Sequence, residues 1–147
     1  MLQIARSYPE DKAEDFIASD SSYTVNNTFS AVRRNILNWY SFKEHADILE
    51  VGAGMGAVTG LLCDVADSVV AIEMSRARAE VIRARYPDRD NLTVLSENIN
   101  SWDTEKRFDY AVFIGVLEYA AVFSDAADPY EEFLNNVKRF LKPDGKI

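Results

Sequence analysis

Glu50, Gly52, Gly54, Gly56 and Glu73 are the residues whose types and spacing could do chemistry. Ile48-Leu49-Glu50-Val51 runs into Gly52-Ala53-Gly54-Met55-Gly56, and a helical pattern follows at once. Glycines permit positive φ and let the backbone approach a ligand closely. Free N–H groups at a helix start attract negative groups. Glu73 stands 21 residues after Gly52, where a second β-branched run closes. An acid there in a Rossmann-like sheet accepts hydrogen bonds from ribose hydroxyls. Strand, glycine turn, helix and acid in register predict a nucleotide-like ligand. Taken singly, the glycines would suit a tight turn that binds nothing, and Glu73 a solvated helix cap.

The elements that must position these residues alternate. Strands are predicted over 47–51, 68–72, 91–95 and 110–114, and helices over 57–66, 76–86 and 129–141. Pro87 and Lys142-Pro143-Asp144-Gly145 end two of the helices. A further helix is expected from a Thr28 or Ser30 cap to about Tyr40, with Phe29, Val32, Ile36 and Tyr40 on one face, and a short one around Asp11–Ala18. Alternation of this kind implies an α/β fold: a Rossmann-like, doubly wound, mostly parallel sheet with helices on both faces. Residues 1–44 form an N-terminal helical flank or lid, and residues 45–147 the core. The chain stops at Lys146-Ile147, just where a fifth strand should begin. The C-terminal strands are therefore expected to be missing, the chain to be a fragment of a longer protein, and the open sheet edge to favour a homodimer.

Composition narrows the classes. Of 147 residues, 48 % are hydrophobic and 27 % charged, an ordinary globular balance. The net charge of −8 disfavours a phosphate backbone as partner. No apolar run reaches the roughly 18 residues a membrane span needs. Cys63 and His45 are single, which fits a reducing cytoplasm and argues against metal sites and His-based nucleophile systems. His45 precedes the first strand, away from the glycine loop, and reads as an ordinary loop histidine.

Glu50-Val51-Gly52-Ala53-Gly54-Met55-Gly56 resembles the E/D-x-G-x-G-x-G motif of class I S-adenosylmethionine-dependent methyltransferases. A nicotinamide-binding fold prefers G-x-G-x-x-G, and here the third glycine comes one residue too early. An acid before the first glycine suits a cationic ligand better than a pyrophosphate. Val70-Ala71-Ile72-Glu73-Met74 resembles the family's second-strand motif, and Leu95-Ser96-Glu97-Asn98-Ile99 the loop after its third strand. Phe108–Tyr119, which includes Gly115, resembles FDxVxxxxVLEH, and Leu141-Lys142-Pro143-Asp144-Gly145 the LKPGG turn. The resemblance runs from about Ile48 to Ile147.

The resemblance implies a cofactor, S-adenosyl-L-methionine, and a set of residues around it. Glu50 would help hold the amino end, often through water. Gly52, Ala53, Gly54 and Gly56 would form the loop, with Glu73 and Met74 at the ribose. Asn98 and Ile99 would meet the adenine, with Glu97 the competing choice for Asn98, and Gly115 would follow the fourth strand. No general base is assigned; Glu118 and Tyr119 sit near the expected mouth. Tyr23, Asn26, Asn27 and Arg33 are lid candidates. The loop also resembles rRNA adenine dimethylases, but Ile114-Gly115-Val116-Leu117 replaces their Asn/Asp-Pro-Pro-Tyr/Phe motif. A small-molecule or sugar-containing (glycan-type) acceptor is therefore expected, as in the bacterial methyltransferase domains found beside glycosyltransferases, which the sequence also resembles. A binding module without its own catalysis, a nucleic-acid methyltransferase and a nucleotide-dependent oxidoreductase remain as alternatives.

Overall fold

The computed structural model of the chain describes residues 1–19 and 22–147. Five parallel strands form one sheet: β1 (Asp47–Val51), β2 (Ser68–Ile72), β3 (Leu92–Leu95), β4 (Phe108–Val112) and β5 (Leu141–Lys146), in the order β3-β2-β1-β4-β5. Among the described residues, six helices accompany them: α1 (Leu2–Ser7), α2 (Ala13–Ile17), α3 (Tyr23–Phe29), α4 (Thr59–Val65), α5 (Arg76–Arg85) and α6 (Pro129–Lys138). Short 3-10 turns cover Glu10–Lys12, Ala31–Ile36 and Leu117–Val122. Among the described residues, no helix is long and apolar enough to cross a membrane.

The period-2 alternation of the strands divides the core. Leu49, Val51, Val70 and Ile72 face one side and pack with Phe133, Val137 and Phe140 at α6. Ile48 and Val69 face the other and pack with Leu61, Leu62 and Cys63 of α4, with Ala71 nearby against Ile82 of α5. Both faces are covered, as parallel strands require. The strand order reverses between β1 and β4, and in open α/β sheets ligands bind at the carboxyl ends of the strands at such a switch point.

The fifth strand corrects the expectation that the sheet ends after four. Leu141 pairs with Phe108 and Lys146 with Tyr110, with a register shift between. Pro143 is tolerated because β5 lies at the edge, where a missing N–H breaks no ladder. Gly145 fills a place where a Cβ would come within 2.9 Å of Leu141 Cβ and Phe108 O. Lys142 secures the strand: its Nζ lies 2.8 Å from both Asp47 and Asp109. The predicted helix over 129–141 accordingly stops at Lys138.

Residues before β1 also depart from the periodicity. The helix expected from Thr28 or Ser30 to Tyr40 lies earlier, as α3, with Ser22 accepting from the Val25 amide. Ser30 is extended and caps only a 3-10 turn, through the Val32 amide. Val32 is 70 % exposed, so the Phe29–Val32–Ile36–Tyr40 stripe is not a buried face. The flank is nevertheless packed: Ala5, Ala13, Val25 and Phe29 cluster with Val81 of α5, and Met55 of the glycine loop borders that cluster.

Candidate functional site

β1 delivers the chain into the glycine loop at the switch point. Gly52, Gly54 and Gly56 have φ of +68°, +61° and +80°, a region L side chains rarely adopt. Close approach adds to this at Gly52, where a Cβ would lie 2.5 Å from Val116 Cγ2. The loop's amides turn inward. Gly52 and Ala53 donate to the Ile72 carbonyl at 2.8 and 3.0 Å, Gly54 to Glu73 Oε2 at 2.8 Å, and Gly56 to the Ala53 carbonyl at 2.9 Å. The predicted helix start at 57 is also displaced: a turn over Gly54–Val58 intervenes, and α4 begins at Thr59 with only seven residues. The anion-attracting helix start expected at the loop is thus not built. The loop is a closed turn that ties β1 to β2.

A cavity of about 510 Å³ opens beside this loop, within the usual range for a small-molecule site. Of the residues named for the donor, Gly52, Ala53, Gly54, Glu73, Met74, Asn98, Ile99 and Gly115 line it. Gly56 does not; its carbonyl accepts the Tyr86 hydroxyl at 2.6 Å, and a Cβ there would strike the Tyr86 ring at 2.9 Å. Glu50 does not either. It lies beneath the loop, 3 % exposed, and lines a smaller adjoining cavity of about 40 Å³ together with Arg33, Gly52 and Ala53. Both positions lie away from the larger cavity because the turn folds back on Tyr86 and Thr59, which hold Gly56 and Glu50 beneath it.

The acids behave differently. Glu73 accepts from the Gly54 amide with Oε2 and from the Ser75 amide with Oε1, both at 2.8 Å. Its side chain is thereby held in place at the end of β2. Among the described residues, Glu50 accepts only the Thr59 hydroxyl, at 2.7 Å. Burial pushes its carboxyl up to about 8, against the opposing effects of the Thr59 hydrogen bond and the Arg85 charge, while the Glu73 charge adds to the rise. Asn98 turns its side-chain oxygen onto the Asn100 amide at 3.0 Å, which leaves the oxygen one further lone pair. Glu97 also lines the cavity, so both candidates for that position are present.

From the flank, Asn27, Thr28 and Arg33 reach the cavity wall; Tyr23 and Asn26 do not line it. Arg33 borders both cavities, and its Nε is buried with no hydrogen-bond partner. Tyr119 lines the mouth and Glu118 does not. Sequence reasoning missed Phe123, Ser124, Glu132 and Phe133, which close the wall from the segment just after the 3-10 turn and from α6. It also missed Thr59 and Arg85. An Asp128-Pro129 cap could have announced α6 at the site; nothing in the pattern distinguished Arg85 from its neighbouring arginines.

A family model described as "Methyltransferase domain" matches residues 49–147. The ribosomal RNA small subunit methyltransferase A of Streptococcus thermophilus is 26 % identical over 80 residues, covering 54 % of this chain and 28 % of its own length. The chain thus spans little more than a quarter of that curated relative. Phosphoethanolamine N-methyltransferase 1 of Haemonchus contortus, solved with phosphoethanolamine and S-adenosylhomocysteine, superposes with a TM-score of 0.70 at 20 % identity, covering 99 % of this chain and 32 % of that one. Coclaurine N-methyltransferase, bound to N-methylheliamine and SAH, does so with a TM-score of 0.64 at 21 % identity, covering 86 % and 36 %.

Proposed function

The chain belongs to the methyltransferase domain family, and from that membership we propose that it moves a methyl group from S-adenosylmethionine to a small-molecule or sugar-containing acceptor. S-adenosylmethionine is the methyl donor of this family. The observation that carries the reading is the inward-turned Gly52–Gly56 loop, locked to Glu73 and seated over Glu50, beside the 510 Å³ cavity. Loop amides spent on Ile72, Ala53 and Glu73 cannot cradle a pyrophosphate, whereas two carboxylates suit a ligand with a cationic end and ribose hydroxyls.

In this reading Glu73 accepts from the ribose, and Met74 and Ile99 flank the adenine, with Asn98 at its amino group. Glu50 answers the donor's ammonium through the small cavity, which has room for a bridging water. Arg33, with its unpartnered Nε, answers the donor's carboxylate. When bound, the donor supplies a sulfonium methyl that passes to an acceptor lone pair as the carbon–sulfur bond breaks and its electrons stay on sulfur. The chain's own contribution is alignment and exclusion of water. The 3-10 turn carrying Tyr119 forms the mouth at which the acceptor enters, and residues 1–44 serve as the lid.

The acceptor reading draws on the acidic lining from Glu73, Glu97 and Glu132, on the net charge of −8, and on the small amines bound in the two solved enzymes. A second reading, nucleic-acid methylation, is favoured by the likeness to the ribosomal RNA enzyme. Ile114-Gly115-Val116-Leu117 in place of the planar-amine motif weighs against it. The same proposal sets the chain in the cytoplasm, where the buried thiol of Cys63 stays reduced. Calorimetry with S-adenosylhomocysteine, S-adenosylmethionine and NAD tests the donor. Saturable S-adenosylhomocysteine binding without NAD binding is expected; the reverse would overturn the reading.

A further inference from the structure

Arg85 ends α5, and its side chain is 5 % exposed. None of the ion pairs among the described residues includes it. A buried cation without a contacting anion is destabilising unless other groups answer it. Here two carbonyls and two rings do. Nη1 donates to the Thr28 carbonyl at 2.7 Å and to the Met55 carbonyl at 2.8 Å. The guanidinium lies over the Phe29 ring, 4.7 Å from its centroid, and 5.1 Å from that of Tyr86. Nε is buried with no partner.

The two carbonyls belong to different parts of the molecule. Thr28 lies in the last turn of α3, where carbonyls lack intrahelical partners and carry partial negative charge. Met55 lies in the glycine loop, between Gly54 and Gly56. Both residues line the 510 Å³ cavity. The Met55 side chain also borders the apolar cluster of Ala5, Val25, Phe29 and Val81, so loop and flank meet through packing as well.

We propose that Arg85 is a positioning residue that latches α3 to the glycine loop, so that donor affinity and the order of the N-terminal segment rise and fall together. The proposal rests on the reading that this cavity takes S-adenosylmethionine. One planar, delocalised cation fixes the separation of the two carbonyls while stacking on Phe29 and Tyr86. A lysine, with a compact ammonium, could neither stack as a plane nor present a rigid fork.

The test uses the full chain with S-adenosylhomocysteine as probe, at a temperature well below its melting. Calorimetry gives affinity, and amide hydrogen exchange follows residues 23–29 and 54–57. Arg85→Met should lose at least tenfold in affinity, and exchange should quicken in both segments together. Arg85→Lys should recover part of each effect, and Phe29→Leu should show both effects at smaller amplitude. A folded Arg85→Met chain with unchanged affinity overturns the proposal, as does quickened exchange in α3 with the glycine loop unaffected. If neither Arg85 variant folds, Phe29→Leu decides. The ligand must slow exchange in both segments of the wild type and do so less in the variant; equal slowing overturns the proposal. A wild-type chain that binds no S-adenosylhomocysteine removes the donor reading, and joint exchange of the two segments still decides the latch.

Discussion

Glu73 holds the amide of Gly54 at 2.8 Å through one carboxylate oxygen, while the other oxygen holds Ser75 at the same distance. The end of β2 therefore sets the shape of the loop that follows β1. Replacing Glu73 by Gln leaves only one accepting oxygen, so either the Gly54 or the Ser75 bond is lost. A hydrogen bond to a charged group is worth roughly 1.5–3 kcal/mol, so S-adenosylhomocysteine affinity should fall about ten- to hundredfold. Calorimetry on the Gln variant checks this, and wild-type affinity would sink it.

Glu50 should make donor binding release a proton. Its carboxyl sits at about 8 in the folded chain, chiefly through burial, with Thr59 as hydrogen-bond partner and Arg85, Glu73 and Arg33 nearby. A donor ammonium favours the ionised form, so the group is mostly protonated at pH 7 before binding and ionised after it. Calorimetry at pH 7 in buffers of different ionisation enthalpy should show release of most of one proton, absent in Glu50→Gln. The sign for stability is opposite to that of an ion-paired acid. A pKa raised above the ordinary glutamate value of 4.5 means the folded state loses stability as pH rises from there to about 8. Glu50→Gln should therefore melt higher than wild type at pH 8.5, and a lower melting temperature there would contradict this account.

Gly52 and Gly54 should respond differently to alanine. A Cβ at Gly52 meets Val116 at 2.5 Å, whereas at Gly54 it meets nothing within 4 Å. Both carry positive φ, with a backbone cost on the order of 1 kcal/mol. Gly52→Ala adds a collision with the wall after β4, and should destabilise by roughly 2–4 kcal/mol in chemical denaturation. Gly54→Ala should stay near the strain alone yet weaken the donor, because its new methyl projects from a residue that lines the cavity. Equal destabilisation in the two variants would contradict the geometry.

Arg33 should matter only for ligands with a carboxylate. Arg33→Met is expected to weaken S-adenosylhomocysteine about tenfold or more, from the loss of one charge-assisted contact, and to leave adenosine unchanged. A parallel loss for both ligands would show that the residue shapes the cavity and does not recognise the amino-acid end.

Asp109 ties β1, β4 and β5 at the other end of the sheet. Burial alone would raise its pKa, but the Asp47 amide, Lys142 and Lys43 outweigh it and hold it down to about 2. A lowered pKa contributes stability that is present above about 4 and lost as pH falls toward 2. The contribution is on the order of 1–2 kcal/mol once the half-exposed lysines are allowed for. Lys142→Met should raise the pH at which acid unfolding begins and loosen β5, readable by circular dichroism against pH. An unchanged acid transition would argue against the cluster.

Legibility in the sequence followed how local the determining physics was. Ser68–Ile72 was readable to the residue because a short β-branched run bounded by polar residues has few alternatives. β4 begins at Phe108, two residues before the predicted start at 110, because Asp109 is held from β5 by Lys142, a contact that local spacing does not show. β5 was missed because Pro143 and Gly145 spell a turn. Only the edge position and a lysine pairing with aspartates 33 and 95 residues away make a strand of it. Eight of the ten residues named for the donor line the cavity because their motifs lie at strand ends. Glu50 and Gly56 went under the loop instead, and Arg85 was invisible, because burial by a segment far upstream leaves no mark on local spacing.

The order of the strands has a consequence for the chain as it is made. Ile48 pairs with Val69 on one side, 21 residues on, and with Tyr110 on the other, 62 residues on. Synthesis proceeds from the N-terminus at about 5–20 residues per second. The flank, the glycine loop and Glu73 all leave the ribosome before the partner for the other side of β1 exists. For that interval β1, buried over four of its five residues, has one bare edge, where a nascent chain is open to mispairing or to capture by a holding factor. The part of the cavity wall built from the glycine loop and Glu73 is complete on that timetable well before Val116 and α6 arrive to close it.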